Sequence, residues 1–375
     1  MENNRGRNKT KELIILDALC GEKHHLPEDD AFYASLLAGE FASVRLISSP
    51  GVVSRVQASS SGITFEKTRF HGNRYSHIHQ GLLYVYRMLF CGRLKSPSLI
   101  FLPAFYEIGL ILFKLFRARD IPIYAMLHNN LGAAKGDGFK KKVKRYLLSR
   151  ALTCLDGLFV FTDYAKSELM SFYPSLEESK IHVIPLYMAG VERRASKQRD
   201  FRTLLFMGMA TPEKGLKKLW ELMDSDSLKE YGFVVKGQFV LDEKANEFIK
   251  QNSERLVVKQ GYISAAEYYE TLSSCSFIVL PYEKSYEGKL SGVFCDAIST
   301  GTPVIAPNYP PFTTYFKKFG GLGILIDFES PCWASDLSTK ITNSENWDYA
   351  ASFEKARGFH SQSAVRESIL RVFRS

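Results

Sequence analysis

The chain has 375 residues, 45% of them hydrophobic and 24% charged, and a formal net charge of +9. That length and balance describe a globular protein with room for two cores of ordinary size, not a disordered or fibrous chain. No run of about 18 apolar residues occurs and the start, MENNRGRNKTKE, is polar, so neither a membrane span nor a secretory signal is expected and the expected location is the cytoplasm.

The cysteines (Cys20, Cys91, Cys154, Cys275, Cys295 and Cys332) are scattered, with no Cys-x-x-Cys and no zinc-finger histidine spacing, so a disulfide framework or structural zinc is disfavoured. The positive excess implies an anionic partner: a phosphate-bearing small molecule, an anionic membrane surface or nucleic acid. Nucleic-acid modules need stacking aromatics or a recognition helix, and neither pattern is present, so nucleic acid is not expected.

Short β-branched, apolar runs alternate with helical patterns along the first half: LIILDA (13–18), SVRLI (43–47), SLIFL (98–102), IPIYAML (121–127), GLFVF (157–161) and HVIPL (182–186). Such runs suit parallel strands buried on both faces and joined by crossover helices. In such sheets ligands sit at the carboxyl ends of the strands. His128, with Asn129, Asn130 and Gly132 in the adjoining loop, follows one such end. A histidine there is either a cleft residue or a structural hydrogen-bonder.

The stretch GDGFKKKVKRYLLSRAL (136–152) places Phe139, Val143, Tyr146, Leu147 and Ala151 at helical spacing among Lys140, Lys141, Lys142, Lys144, Arg145 and Arg150. A basic amphipathic helix of this kind suits peripheral contact with an anionic membrane, at about 1 kcal/mol per basic residue near the surface. It reads equally as a crossover helix with a solvated basic face.

The polar stretch YMAGVERRASKQRD (187–200) carries the interdomain linker, giving an N-terminal domain over 1–187 and a second over 188–345. The second half repeats the alternation with TLLFMG (203–208), FVVKG (233–237), SFIVL (276–280), TPVIA (302–306) and LGILI (322–326). Residues 346–375 look helical, form no domain of their own, and are candidates to return to the first domain.

Two segments of the second half carry chemistry. In FMGMATPEKGLKKLW (206–220) a strand closes at Gly208, and a helix is predicted with Thr211 as N-cap and Pro212 at its first position. Lys214 then falls in the first turn, where a cation opposes the helix dipole by about 0.3–1 kcal/mol unless an anion completes the site. In EGKLSGVFCDAISTGTPVIAP (287–307) a helix starts at Ser291 and Gly292, whose unpaired N–H groups suit a phosphate. Asp296, one turn on, shares that face and can accept from ligand hydroxyls. Gly301 is the expected left-handed terminator. An ordinary Ser-capped helix with a solvated aspartate fits the same spacing.

GMATPEKG, VVKQGYISAAEYYETLSSCSFIVLPYE and EGKLSGVFCDAISTGTPVIAP together resemble, in order, the donor-site blocks of GT-B glycosyltransferases, nearest to glycosyltransferase family 4. The resemblance covers about 203–327; the first half shares only strand order. It implies an α/β protein of GT-B architecture, two Rossmann-like parallel-sheet domains facing across a cleft. It implies transfer of a sugar from a nucleoside-diphosphate sugar, of UDP or GDP type, to a glycan or lipid-linked hydroxyl. The anomeric configuration would be retained, the leaving phosphate would assist deprotonation of the acceptor, and no cofactor or metal would be needed. Polysaccharide or lipopolysaccharide assembly is the setting it suggests.

By the same resemblance Lys214 holds the diphosphate, Ser291 and Gly292 contact its phosphates, and Asp296 replaces the second glutamate of Glu-x7-Glu, which holds the ribose. His128 would lie near the transferred sugar. Two positions depart from the pattern: Met209 stands where the family has an arginine, and Gly288 where it has the first glutamate. Lys236, Lys284 or Lys289 are the expected compensation for the lost charge, and Glu287 or Glu283 for the donor-sugar contacts. The departures also fit a binding protein without turnover, and the fold an epimerase or hydrolase. Asp224-Ser225-Asp226 matches a metal motif of another glycosyltransferase fold but sits in a polar loop, and neither His77-Ile78-His79 nor His24-His25 has a third ligand nearby, so no metal is expected.

Overall fold

The computed structural model describes residues 11–17, 26–48, 53–54, 62–67, 98–116, 121–128, 138–188, 200–209, 211–238, 243–344 and 347–374. The chain divides into two units, the first comprising Met1–Tyr187 with Gln362–Ser375 and the second Met188–Ser361.

In the first unit the order is β1 (Glu12–Asp17), α1 (Leu26–Leu37), β2 (Ser43–Ser48), β3 (Ile63–Lys67), β4 (Ser98–Leu102), α2 (Glu107–Phe116), β5 (Ile123–Met126), α3 (Phe139–Leu152), β6 (Gly157–Val160), α4 (Asp163–Phe172) and β7 (Ile181–Val183). The strands form one parallel sheet in the order β3-β2-β1-β4-β5-β6-β7. Leu13, Ile14, Ile15 and Leu16 of β1 are all buried, as a central strand covered on both faces requires.

The second unit contains β8 (Asp200–Met209), α5 (Leu216–Asp224), β9 (Gly232–Gln238), α6 (Glu243–Gln251), β10 (Leu256–Gln260), α7 (Ala265–Ser274), β11 (Cys275–Val279), α8 (Gly292–Thr300), β12 (Val304–Pro307), α9 (Phe312–Phe319), β13 (Gly323–Ile326), α10 (Trp333–Ser344) and α11 (Ala350–Phe359). Its sheet is parallel, in the order β10-β9-β8-β11-β12-β13. Both sheets therefore have the Rossmann order, in which succession reverses beside the first strand. The crevices at the carboxyl ends of β1 and β4, and of β8 and β11, are the places where such sheets bind ligands.

The last helix, α12 (Gln362–Arg374), belongs to the first unit. Phe373 is buried with its ring centroid 4.8 Å from that of Tyr124 and 5.9 Å from those of Phe101 and Phe159. Arg366 and Arg374 both pair with Glu40, the latter at 3.0 Å.

The strands read from the sequence are present, with ends shifted by up to three residues. Two strands, β3 and β10, were not among them. Both are sheet edges, and after one buried residue each is largely polar or half-buried, so neither carries the two-sided apolar run that marks a central strand. No helix among the described residues is long and apolar enough to cross a membrane.

Candidate active site

Three segments of the second unit converge at the carboxyl ends of β8 and β11. The first follows β8. The helix predicted from Thr211 is instead a single 3-10 turn, Pro212–Lys214, and α5 begins only after Gly215. The reason is steric. Gly215 has φ +70°, and a Cβ there would lie 1.8 Å from the carbonyl oxygen of Pro281, so only glycine lets the two chains touch and the helix is interrupted at that point. Lys214 is thus not in the first turn of a helix; it is set at the end of the turn, against the loop that follows β11.

The second segment is that loop. The backbone N–H of Glu283 donates to the Glu213 carbonyl at 2.9 Å, tying the loops together. Tyr282 is buried; its ring lies 5.9 Å from Lys214 Nζ, and its hydroxyl is 2.9 Å from Ser291 Oγ. Burial pushes the Tyr282 phenol up, so it stays neutral.

The third is the start of α8. Ser291, fully buried, caps the helix by accepting the N–H of Phe294 at 3.3 Å. Its hydroxyl is therefore committed to the cap and to Tyr282 and is not offered to a phosphate. The N–H groups of Gly292 and Val293 have no partner among the described residues. Gly292 is exposed, and a Cβ on it would meet nothing within 4 Å. Gly208, at the end of β8, borders Val293, 3.3 Å from the Cβ that a side chain at 208 would carry. The helix start is thus an open anion seat formed by backbone.

Charge distribution singles out one lysine. Lys236 Nζ is 3.1 Å from Glu267 Oε1 and donates to Thr271 at 3.0 Å; Lys284 lies 3.2 Å from Glu287; Lys289 pairs with Glu213. None of the three supplies a free charge in place of the arginine absent at Met209, because each has a carboxylate in range. Lys214 has no acid partner of its own among the described residues, and burial lowers its pKa despite the nearby charge of Glu213. Close by in sequence, Thr211 Oγ1 is buried with no hydrogen-bond partner among the described residues. A desolvated ammonium, an unpartnered hydroxyl and two free N–H groups call for an anion.

Asp296, on the second turn of α8, accepts from the Tyr268 hydroxyl at 2.7 Å and from that of Tyr269 at 3.5 Å. Burial pushes its pKa up to about 6, and the two phenols hold it down. A carboxylate has about four acceptor positions, so the tyrosines leave capacity for ligand hydroxyls. The tyrosine pair was missed in the sequence: it is 27–28 residues away on α7, and no local spacing links the two helices.

The remaining candidates are placed as follows. Glu283 is 3.1 Å from Lys218, which also pairs with Glu329, and Glu287 bonds Lys284. In the first unit, His128 follows β5 with Nε2 3.0 Å from the Pro103 carbonyl. A carbonyl only accepts, so Nε2 carries the proton. Asn129, Asn130, Gly132 and the histidines at 24, 25, 77 and 79 lie outside the described residues. No group of three or more His, Cys, Asp or Glu among the described residues could hold a metal ion.

On α3, Lys144 turns inward to Glu107 at 2.6 Å and Arg145 stacks over Phe172 at 5.8 Å, so neither is a surface charge for a membrane. Of the apolar stripe read from the sequence, Phe139, Val143 and Tyr146 are exposed, and Ala151 is buried together with Leu148 and Leu152.

Residues 191–357 match the family model "Glycosyl transferases group 1". An uncharacterized glycosyltransferase of Methanocaldococcus jannaschii is 26% identical over 190 residues, 50% of this chain and 48% of that one, so the match spans about half of the relative. Among solved structures, TarM superposes with a TM-score of 0.70 at 12% identity over 97% of this chain and 99% of that one. A mutant TarM of S. aureus in complex with fondaparinux, alpha-GlcNAc-glycerol and UDP gives 0.66, at 12% identity over 98% and 100%. The lipopolysaccharide outer core galactosyltransferase WaaB gives 0.67, at 12% identity over 97% and 99%. The fold is that of the GT-B glycosyltransferases, and the family match over residues 191–357 supports an enzyme that transfers sugars.

Proposed function

We propose that the protein transfers a sugar from a nucleoside-diphosphate sugar to an acceptor hydroxyl, with the donor held in the second unit. The observation that carries this reading is the convergence of Lys214, which has no acid partner among the described residues, with the open N-terminus of α8. Lys214 and the N–H groups of Gly292 and Val293 would hold the diphosphate, and Asp296 would accept the ribose hydroxyls. As the glycosidic bond to phosphate breaks, negative charge grows on the leaving diphosphate, and fixed donors stabilise it. The UDP bound by TarM supports a uridine donor in preference to a guanosine one. Retention of configuration, a family 4 relationship and a glycan or lipid-linked acceptor, as in polysaccharide or lipopolysaccharide assembly, complete the proposal. His128, its proton fixed on Nε2, belongs to the acceptor side.

A second reading, donor binding without transfer, has its own support: Glu283 and Glu287, the candidates for donor-sugar contact, are each tied to a lysine. Incubating UDP-sugars with and without a panel of glycan and lipid-linked acceptors separates the readings. Acceptor-dependent release of UDP with a new glycoside supports transfer. UDP or an altered sugar formed from donor alone would point to hydrolysis or epimerisation, and binding without any product to the second reading.

A further inference from the structure

Helix α7 is anchored at its start by polar bonds. Ser264 caps it by accepting the N–H of Glu267 at 3.2 Å. Glu267 in turn pairs with Lys236 of β9 at 3.1 Å and with Lys259 of β10 at 2.7 Å, and Thr271, one turn on, accepts from Lys236 at 3.0 Å. The first turns of α7 are thus tied to two strands, and both ammonium groups are occupied. Tyr268 and Tyr269 stand between these anchors, their rings edge to face at 5.2 Å.

The two phenols reach different oxygens of one carboxylate. Tyr268 donates to Asp296 Oδ2 at 2.7 Å and Tyr269 to Oδ1 at 3.5 Å. A carboxylate with no such donors turns broadly about its terminal bond. Donors on both oxygens fix its plane and favour its ionised form. The other groups at this corner bring no countercharge. Cys295 lies beside Asp296 as a buried thiol and Tyr282 faces Tyr268 as a neutral phenol. Arg357 of α11 pairs with Glu354 at 2.8 Å and reaches α8 at the Ile298 carbonyl. No cation pairs with Asp296 among the described residues. The phenols are therefore what holds the charge in place.

Each Asp296 oxygen keeps an unused acceptor position, and the residue is half-buried, so one edge stays open to a ligand. Two acceptors on one fixed plane suit a pair of neighbouring hydroxyls. We propose that Tyr268, seconded by Tyr269, is a positioning residue: it holds Asp296 ionised and in plane so that both oxygens engage the cis-diol of a nucleotide ribose. This inference rests on the proposed donor site and deepens it. Tyr268 acts through Asp296 and touches no substrate.

The test is titration calorimetry from about pH 5 to about pH 8 with UDP or GDP, whichever the wild type binds, and with the matching 2′,3′-dideoxy analogue. The quantity to follow is the ratio of the two affinities, because the terminal phosphate, which also titrates near pH 6, is common to both ligands. In the wild type the ribonucleotide's advantage should shrink in acid as Asp296 gains a proton. In Tyr268→Phe that decline should be centred about one pH unit higher, leaving the advantage about fivefold smaller than wild type at about pH 6 and nearly equal to it at about pH 8. Tyr269→Phe, which removes the longer contact, should move it less, and Asp296→Asn should make the ratio independent of pH. A merely structural role for the Tyr268 ring weakens both ligands alike and leaves the ratio unmoved. That result, or a decline at the wild-type pH in both phenylalanine variants, overturns the positioning role while leaving the donor site in place. Absence of wild-type binding to either nucleotide overturns the donor site, and this inference with it. Should Tyr268→Phe not fold, an unmoved decline in Tyr269→Phe decides against the inference.

Discussion

Lys214 is the residue on which the donor site depends. Burial lowers its pKa against the nearby charge of Glu213, and no carboxylate among the described residues pairs with it, so a bound diphosphate that favours the ammonium gains affinity from that relief. Nucleotide affinity should therefore fall as pH rises through the lowered lysine pKa, which a series of titrations at increasing pH would detect. Asp296 works in the opposite direction. Its folded-state pKa of about 6 stands above its ordinary 3.8, so the fold favours the neutral acid. That contribution is full below pH 3.8 and is lost as pH rises through about 6. Relative to Asp296→Asn, the wild type should lose on the order of 2–3 kcal/mol of stability between pH 3.5 and pH 7. Urea unfolding at the two pH values measures this, and a pH-independent difference would contradict the burial argument. Ribose binding needs the ionised acid, so nucleotide affinity should also decline below about pH 6.

At the scale of elements, much of the site was legible in the sequence because its signals are local. Ser291 caps α8 and Gly301 ends it at φ +69°, both set by spacing within one helix. What local spacing does not carry is contact between distant segments. The interruption at Gly215 depends on the carbonyl of Pro281, and the pairing of Lys236 with Glu267 joins a strand to a helix 31 residues on. Sequence alone thus offered Lys236 and Lys289 as free charges, and only the fold brings their acids within reach. The edge strands β3 and β10 escaped for a related reason, since half-covered strands lack a distinctive pattern. Gly215→Ala should destabilise by more than about 2 kcal/mol, combining a left-handed backbone with overlap on Pro281. It should also weaken nucleotide binding by displacing Lys214; denaturant unfolding and titration of the same variant check both effects.

At the scale of the whole molecule, the chain is two Rossmann sheets, the first completed by its last helix. The sequence offered residues 346–375 as helical and as candidates to return to the first unit; that the change of unit falls between α11 and α12 was not legible, because the choice lies in ring contacts with distant strands. Phe373 packs on Tyr124, Phe101 and Phe159, so Phe373→Ala should cost about 3–5 kcal/mol. The loss should fall on the first unit, and hydrogen exchange resolved by segment should show faster exchange in β4–β6 with β8–β13 unchanged.

The proposed donor site requires a diphosphate bound by Lys214 at the start of α8. The most direct measurement is titration calorimetry of the chain with UDP, GDP and their sugar conjugates, for wild type and Lys214→Ala, each checked for an unchanged melting temperature. Selective binding of one nucleotide, weakened about tenfold to a hundredfold in the variant, is the predicted result. Absence of binding to any nucleotide, or equal affinity in a folded Lys214→Ala, would contradict it.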